Sequence, residues 1–169
     1  YQGVAPEVMD SAQLAWLQSH LWILSGLYGC ARPFHAVEPY RLEMGAKLAV
    51  DDACDLYAFW DDKLARAIAP AGSNTTIVNL ASVEYAKAVL PHLAGDITTV
   101  TCLFGEGVCN GKPIQRSTAS KKARGSMVRW MAENKLEDAS GLTAFDVGYR
   151  HAPELSNKNT LVFLNEQTL

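Results

Sequence analysis

The sequence predicts a mixed α/β (α+β) fold: a single domain, residues 1–169, in which a mixed sheet packs against helices. Three observations predict it. Short apolar runs (LWIL, TIVNL, TLVFL) alternate along the chain with stretches of helical spacing, and no internal repeat appears. Hydrophobic residues make up 49% and charged residues 20%, the balance of a globular chain. At 169 residues the chain is long enough for one real core and short for two.

The elements follow in order. Asp10 is placed to cap a helix through His20, with Leu14, Trp16 and Leu17 as its apolar side. LWIL (21–24) reads as a short buried strand, and PYRLEM (39–44) as another. In the second, Tyr40, Leu42 and Met44 alternate with Arg41 and Glu43. A helix from Asp55 to Ala69 puts Leu56, Trp60, Leu64, Ala67 and Ile68 on one face and an Asp62–Arg66 pair on the other. Pro70 to Asn74 breaks the chain, TIVNL (76–80) is a strand, and Ser82 caps a short helix ending at Pro91. Residues 96–118 are β-rich with a turn at Asn110-Gly111. A helix over about 120–135, a short one near 138–144 and the strand TLVFL (160–164) complete the chain.

Charge and cysteine usage narrow the function classes. A net charge of −3 excludes a uniformly basic nucleic-acid binder, so any anion site is a local patch. No apolar run approaches the roughly 18 to 20 residues of a membrane helix. The four cysteines (30, 54, 102, 109) form no CxxC pair and suit reduced thiols in a cytoplasmic setting. The four histidines show no i, i+4 ligand pair. The expectation is therefore no cofactor and no tightly bound metal.

The helix near 120–135 carries the clearest polar pattern. Ala123, Met127, Trp130 and Met131 form its core stripe, while Lys121, Lys122 and Arg129 surround Gly125 on the opposite arc, with Arg124 beside them. Glycine inside a helix costs about 1 kcal/mol relative to alanine. Its use is to admit another backbone, or a phosphate, at close range. The alternative is a solvated cationic face with no ligand.

Several segments also resemble one known family. SGLYG…RP…PYRLEMG, DLYAFW, VNLASVEYAKAV and KKARGSMVRWMAENKL occur in the order seen in the YaaA peroxide-stress proteins, from about residue 1 to LVF at 161–163. The resemblance implies a bacterial cytoplasmic protein of the peroxide response that limits available iron and so oxidative DNA damage. It further implies DNA binding through a positively charged cleft. Family members carry an N-terminal portion with a Ser-Pro-Ala-Lys-type opening. The chain is thus expected to correspond to the C-terminal two-thirds or so of such a protein.

The segment 25–45 is the second candidate. Gly26 and Gly29 flank Leu27-Tyr28 after a strand, where Gly-x-x-Gly amides can face an anion. With Ser25, Tyr28, Arg32, Tyr40, Arg41 and Glu43 they offer hydroxyls, cations and stacking rings. The alternative makes Arg41 and Glu43 a buried structural pair and the two tyrosines core. Two function classes stay open. One is a nucleic-acid-associated stress protein, with DNA held by Arg32, Arg41, Lys121, Lys122, Arg124 and Arg129. The other is an enzyme acting on a nucleotide, a nucleic-acid base or a small phosphorylated ligand, with Glu43 as acid/base.

Overall fold

The computed structural model describes residues 3–168. They form a mixed α/β fold that divides into two compact units. Among the described residues, the first comprises 3–17, 78–80 and 99–168; the second comprises 18–77 and 81–98.

The first unit is built on a four-stranded mixed sheet. Strands β3 (Thr76–Asn79), β4 (Thr98–Gly105), β8 (Thr160–Asn165) and β7 (Tyr149–His151) lie in that order, with β4 and β8 parallel and β7 and β8 antiparallel. A parallel pair needs a crossover, and helix α5 (Ser117–Glu133) lies in the connection from β4 to β8. Its buried face is Ser120, Ala123, Met127, Val128 and Ala132. Of the expected stripe, Ala123 and Met127 are buried, while Trp130 and Met131 are half-buried against the same core. Between sheet and helix sits an aromatic core. Phe104 stacks on Phe163 with centroids 5.5 Å apart, and Phe145 and Tyr149 meet Phe104 edge-on at 6.1 and 5.4 Å. Such geometry suits the ring quadrupole.

Helix α1 (Ser11–His20) begins as the sequence predicts. The Asp10 carboxylate accepts from the Gln13 N–H at 2.8 Å, and the Gln13 amide oxygen accepts from the Asp10 N–H at 3.1 Å. That reciprocal pair satisfies two of the orphan donors of a helix start.

The second unit packs a separate two-stranded hairpin, β1 (Ile23–Ser25) and β2 (Gly29–Ala31), with helices α2 (Leu56–Trp60), α3 (Lys63–Ile68) and α4 (Val83–Ala86). Its core holds Met44, Leu56, Leu64, Ala65, Ala88 and Val89.

Four expectations change. LWIL is not a free-standing buried strand: only Ile23 and Leu24 extend, into a hairpin antiparallel to Gly29–Ala31. PYRLEM forms no strand, although its alternation is real: Leu42 is half-buried, Met44 is fully buried, and Arg41 and Glu43 are exposed. No neighbouring strand pairs with it, so burial alone sets that pattern. The expected 55–69 helix breaks in two at Asp61, whose φ of 44° lies outside helical geometry. Asp55 still caps the first half, and Asp62 still pairs with Arg66 at 2.8 Å. Ser82 occupies the N-cap position of α4, and its carbonyl accepts from the Ala86 N–H at 2.8 Å, but its side chain makes no capping hydrogen bond.

The four cysteines are free thiols. Cys102, on β4, is 2% exposed, and burial pushes its pKa from 9.0 up to about 12. A raised acid stays protonated in the folded state while the unfolded thiol ionises. Its contribution to stability is therefore complete below pH 9 and declines as pH rises toward 12. Urea unfolding at pH 10 is expected to show the wild type losing about 1 kcal/mol more, relative to pH 7, than Cys102→Ala loses. Equal losses would contradict this assignment.

Candidate functional site

The hairpin tip answers why 25–29 holds a serine and two glycines. The buried Ser25 hydroxyl accepts from the Leu27 and Tyr28 amides at 3.2 and 2.8 Å and hydrogen-bonds the Tyr40 hydroxyl. Gly29 turns the chain at φ 71°. A Cβ there would stand 2.7 Å from the Trp60 ring, whose indole N–H donates to the Gly26 carbonyl at 3.0 Å. At Gly26 a Cβ would stand 2.8 Å from the Leu42 carbonyl oxygen. The Leu27 and Tyr28 amides expected to face an anion are therefore consumed inside the turn. The expectation of an amide anion nest at Gly26–Gly29 is corrected: these residues build a tightly packed corner of a separate two-stranded hairpin.

What the corner presents outward is aromatic and cationic. Tyr28 and Tyr40 meet edge-on at 5.5 Å and remain 38% and 42% exposed, so they are not core residues. Tyr28 borders a depression of about 340 Å³ with Cys30, Phe34, His35 and Val37. Its hydroxyl accepts from the Glu38 N–H at 3.0 Å.

Arg41 and Glu43 are both exposed, and neither takes part in a salt bridge among the described residues. The buried-pair alternative is thereby overturned. The backbone on either side of them is held firmly: Met44 is buried, and the Gly45 N–H donates to the Glu84 carboxylate at 2.7 Å. Arg32 is different. Its guanidinium donates to the Ser19 and Leu21 carbonyls at 3.0 and 3.3 Å and lies 3.7 Å over the Trp22 ring. Arg32 serves first to tie chain segments together.

The cations of α5 also divide by role. Lys121 and Lys122 are exposed and unpaired among the described residues. Arg129 donates to Glu133 at 2.7 Å, one turn on, which neutralises it locally. Arg124 is half-buried, its Nε has no partner among the described residues, and burial lowers its pKa. Gly125 admits a backbone rather than a phosphate: a Cβ there would stand 2.8 Å from the Gly3 Cα and 3.0 Å from the Val4 nitrogen. The open arc expected around Gly125 is in fact covered by the Gly3–Val4 segment.

One cluster escaped sequence reasoning. The Glu106 carboxylate, just past the carboxyl end of β4, accepts from the Tyr149 hydroxyl at 2.6 Å and from the Asn165 amide at 3.1 Å. Burial, reinforced by the bond to Glu106, raises the Tyr149 pKa well above its ordinary value. Three strand ends converge here, at the edge where parallel sheets present polar groups. Only Gly105 and Gly107 around a lone glutamate marked it in the sequence. Elsewhere among the described residues, no three His, Cys, Asp or Glu side chains gather as a metal-ligand set. Among the described residues, no helix is long and apolar enough to cross a membrane.

The family model described as "Peroxide stress protein YaaA" matches residues 1–155. The chain belongs to the YaaA peroxide stress protein family. A UPF0246 protein of Pediococcus pentosaceus is 45% identical over 168 residues, covering 99% of this chain and 66% of that protein. One from Desulfitobacterium hafniense is 42% identical, with 97% and 64% covered. One from Laribacter hongkongensis is 46% identical, with 98% and 66% covered. The chain thus spans about two-thirds of the length of these YaaA-family relatives.

Proposed function

We propose that the protein serves the bacterial cytoplasmic peroxide response by holding DNA on exposed, unpaired cations, and that its effect on available iron is indirect. Membership of the peroxide stress family is the observation that carries this reading. Two local features support the DNA part. In the second unit, Arg41 is free of ion pairs among the described residues, and the rings of Tyr28 and Tyr40 are exposed on the same segment. In the first unit, Lys121 and Lys122 point charge outward from a helix whose core face is fully packed. Cations of this kind bind phosphate through counterion release, and exposed rings supply stacking surface. The dispersed Cys and His side chains favour an indirect action on iron over storage or chelation. Less free iron means less Fenton chemistry at DNA, which joins the two halves of the reading.

Arg41→Ala tests it. An exposed, unpaired arginine contributes little to folding, so stability is expected to stay within about 0.5 kcal/mol. Affinity for duplex DNA, read by fluorescence anisotropy, is expected to fall several-fold, with a slope in log[salt] shallower by about one. Unchanged DNA affinity would remove the opening segment from the interface.

A further inference from the structure

The first unit contains a charge asymmetry larger than its helix alone accounts for. From Gly107 to Ala132 the chain carries six Lys and Arg residues and no Asp or Glu. The whole protein has 15 basic and 18 acidic residues, so everything outside this stretch is strongly acidic. Structurally the stretch is a hairpin followed by a helix. Strands β5 (Val108–Cys109) and β6 (Lys112–Pro113) pair antiparallel across Asn110 and Gly111, whose φ values of 48° and 72° fit the tightest hairpin turn. Arg116 then sits at the N-cap position of α5 without a side-chain cap.

Accounting for each cation isolates a subset. Arg129 is matched by Glu133, and Arg124 is half-buried. Lys112, Arg116, Lys121 and Lys122 are all exposed, and none is ion-paired among the described residues. The nearest acid in sequence, Glu106, cannot quench them cheaply, because its carboxylate is already held by Tyr149 and Asn165. Two of the four also lie in the first turns of α5, where the macrodipole adds to the positive potential.

We propose that the β5–β6 hairpin, through Lys112 and Arg116, extends the Lys121–Lys122 face into one continuous contact surface for the phosphates of duplex DNA. The inference rests on the nucleic-acid reading above and adds two residues and an element to it. A polyanion is called for because four unmatched cations fall within eleven residues. A duplex fits better than a lipid surface, since the turn Asn110-Gly111 has no apolar side chain to insert and the exposed apolar groups, Val108 and Ile114, lie at the far ends of the two arms from that turn. A two-stranded ribbon also has the dimensions that a major groove admits.

The test compares the 169-residue wild type with Lys112→Gln/Arg116→Gln, which keeps bulk and removes charge. Binding to a short labelled duplex is followed by anisotropy from about 50 to 200 mM salt. Two lost phosphate contacts should make the slope of log K against log[salt] shallower by about 1.8. The melting temperature should be unchanged. A wild-type slope in a stably folded variant overturns the hairpin proposal and leaves the nucleic-acid reading standing. Absence of wild-type binding to the duplex overturns both. Charge-sensitive binding to phosphatidylserine vesicles, with none to the duplex, assigns the hairpin to lipid and likewise overturns the proposal.

Discussion

Gly29→Ala is expected to lower the melting temperature by on the order of 10 °C. Two costs add. The backbone sits at φ 71°, where a side chain costs about 1–2 kcal/mol. The new methyl would also stand 2.7 Å from the Trp60 ring and 2.9 Å from Leu64 Cδ2. Trp60 cannot swing aside freely, because its indole N–H is bonded to the Gly26 carbonyl. Overpacking of this kind costs about 1–3 kcal/mol. Each kcal/mol moves the midpoint of a domain this size by roughly 2–4 °C. Calorimetry measures the shift, and a drop under about 2 °C would show that the corner relaxes.

Gly125→Ala decides between two readings by its sign. If Gly125 faced solvent or a phosphate, alanine would raise stability by about 1 kcal/mol through helix propensity. Instead the methyl would meet the backbone of Gly3 at 2.8 and 2.9 Å. The reciprocal approach is closer still, since a Cβ on Gly3 would stand 2.4 Å from the Lys122 carbonyl oxygen. Relief requires the Gly3–Val4 segment to lift, exposing Val4, which is now only 8% exposed. Losing that burial costs about 1.5–3 kcal/mol. The expected net result is a destabilisation of about 1–2 kcal/mol in urea titration, after the gain in propensity is subtracted. A stabilised variant would contradict the backbone contact.

These two glycines show where the sequence was legible and where it was not. The Gly125 anomaly was visible because a helix interior has a clear expectation that glycine breaks. Its partner was not, since nothing local connects Gly3 to a helix more than a hundred residues away. The same limit hid Glu106, whose hydroxyl and amide partners come from Tyr149 and Asn165. Helical spacing found α5, which buries one face, the Asp10 cap signal found α1, and short apolar runs found β3 and β8, where Val162, Phe163 and Leu164 are buried in succession. It misread PYRLEM, where alternating burial occurs without a pairing strand. It could not see the break at Asp61, because Leu56 and Leu64 are both buried and the apolar pattern runs straight across it. Among the candidate site residues, type alone could not separate Arg32 and Arg129, committed to carbonyls, a ring and a carboxylate, from Arg41, Lys121 and Lys122. Partners decide that, and partners are a property of the fold.

The central claim is that free, exposed cations carry the stress function, and the most direct measurement is peroxide survival with Lys121→Ala/Lys122→Ala. Both side chains project from the solvent side of α5, whose packing rests on Ala123, Met127 and Ala132, so the variant should fold normally. In a bacterium deprived of its own family member and supplied with the gene, survival under hydrogen peroxide should fall to that of the deleted strain. Full protection by the stably folded variant would contradict the account.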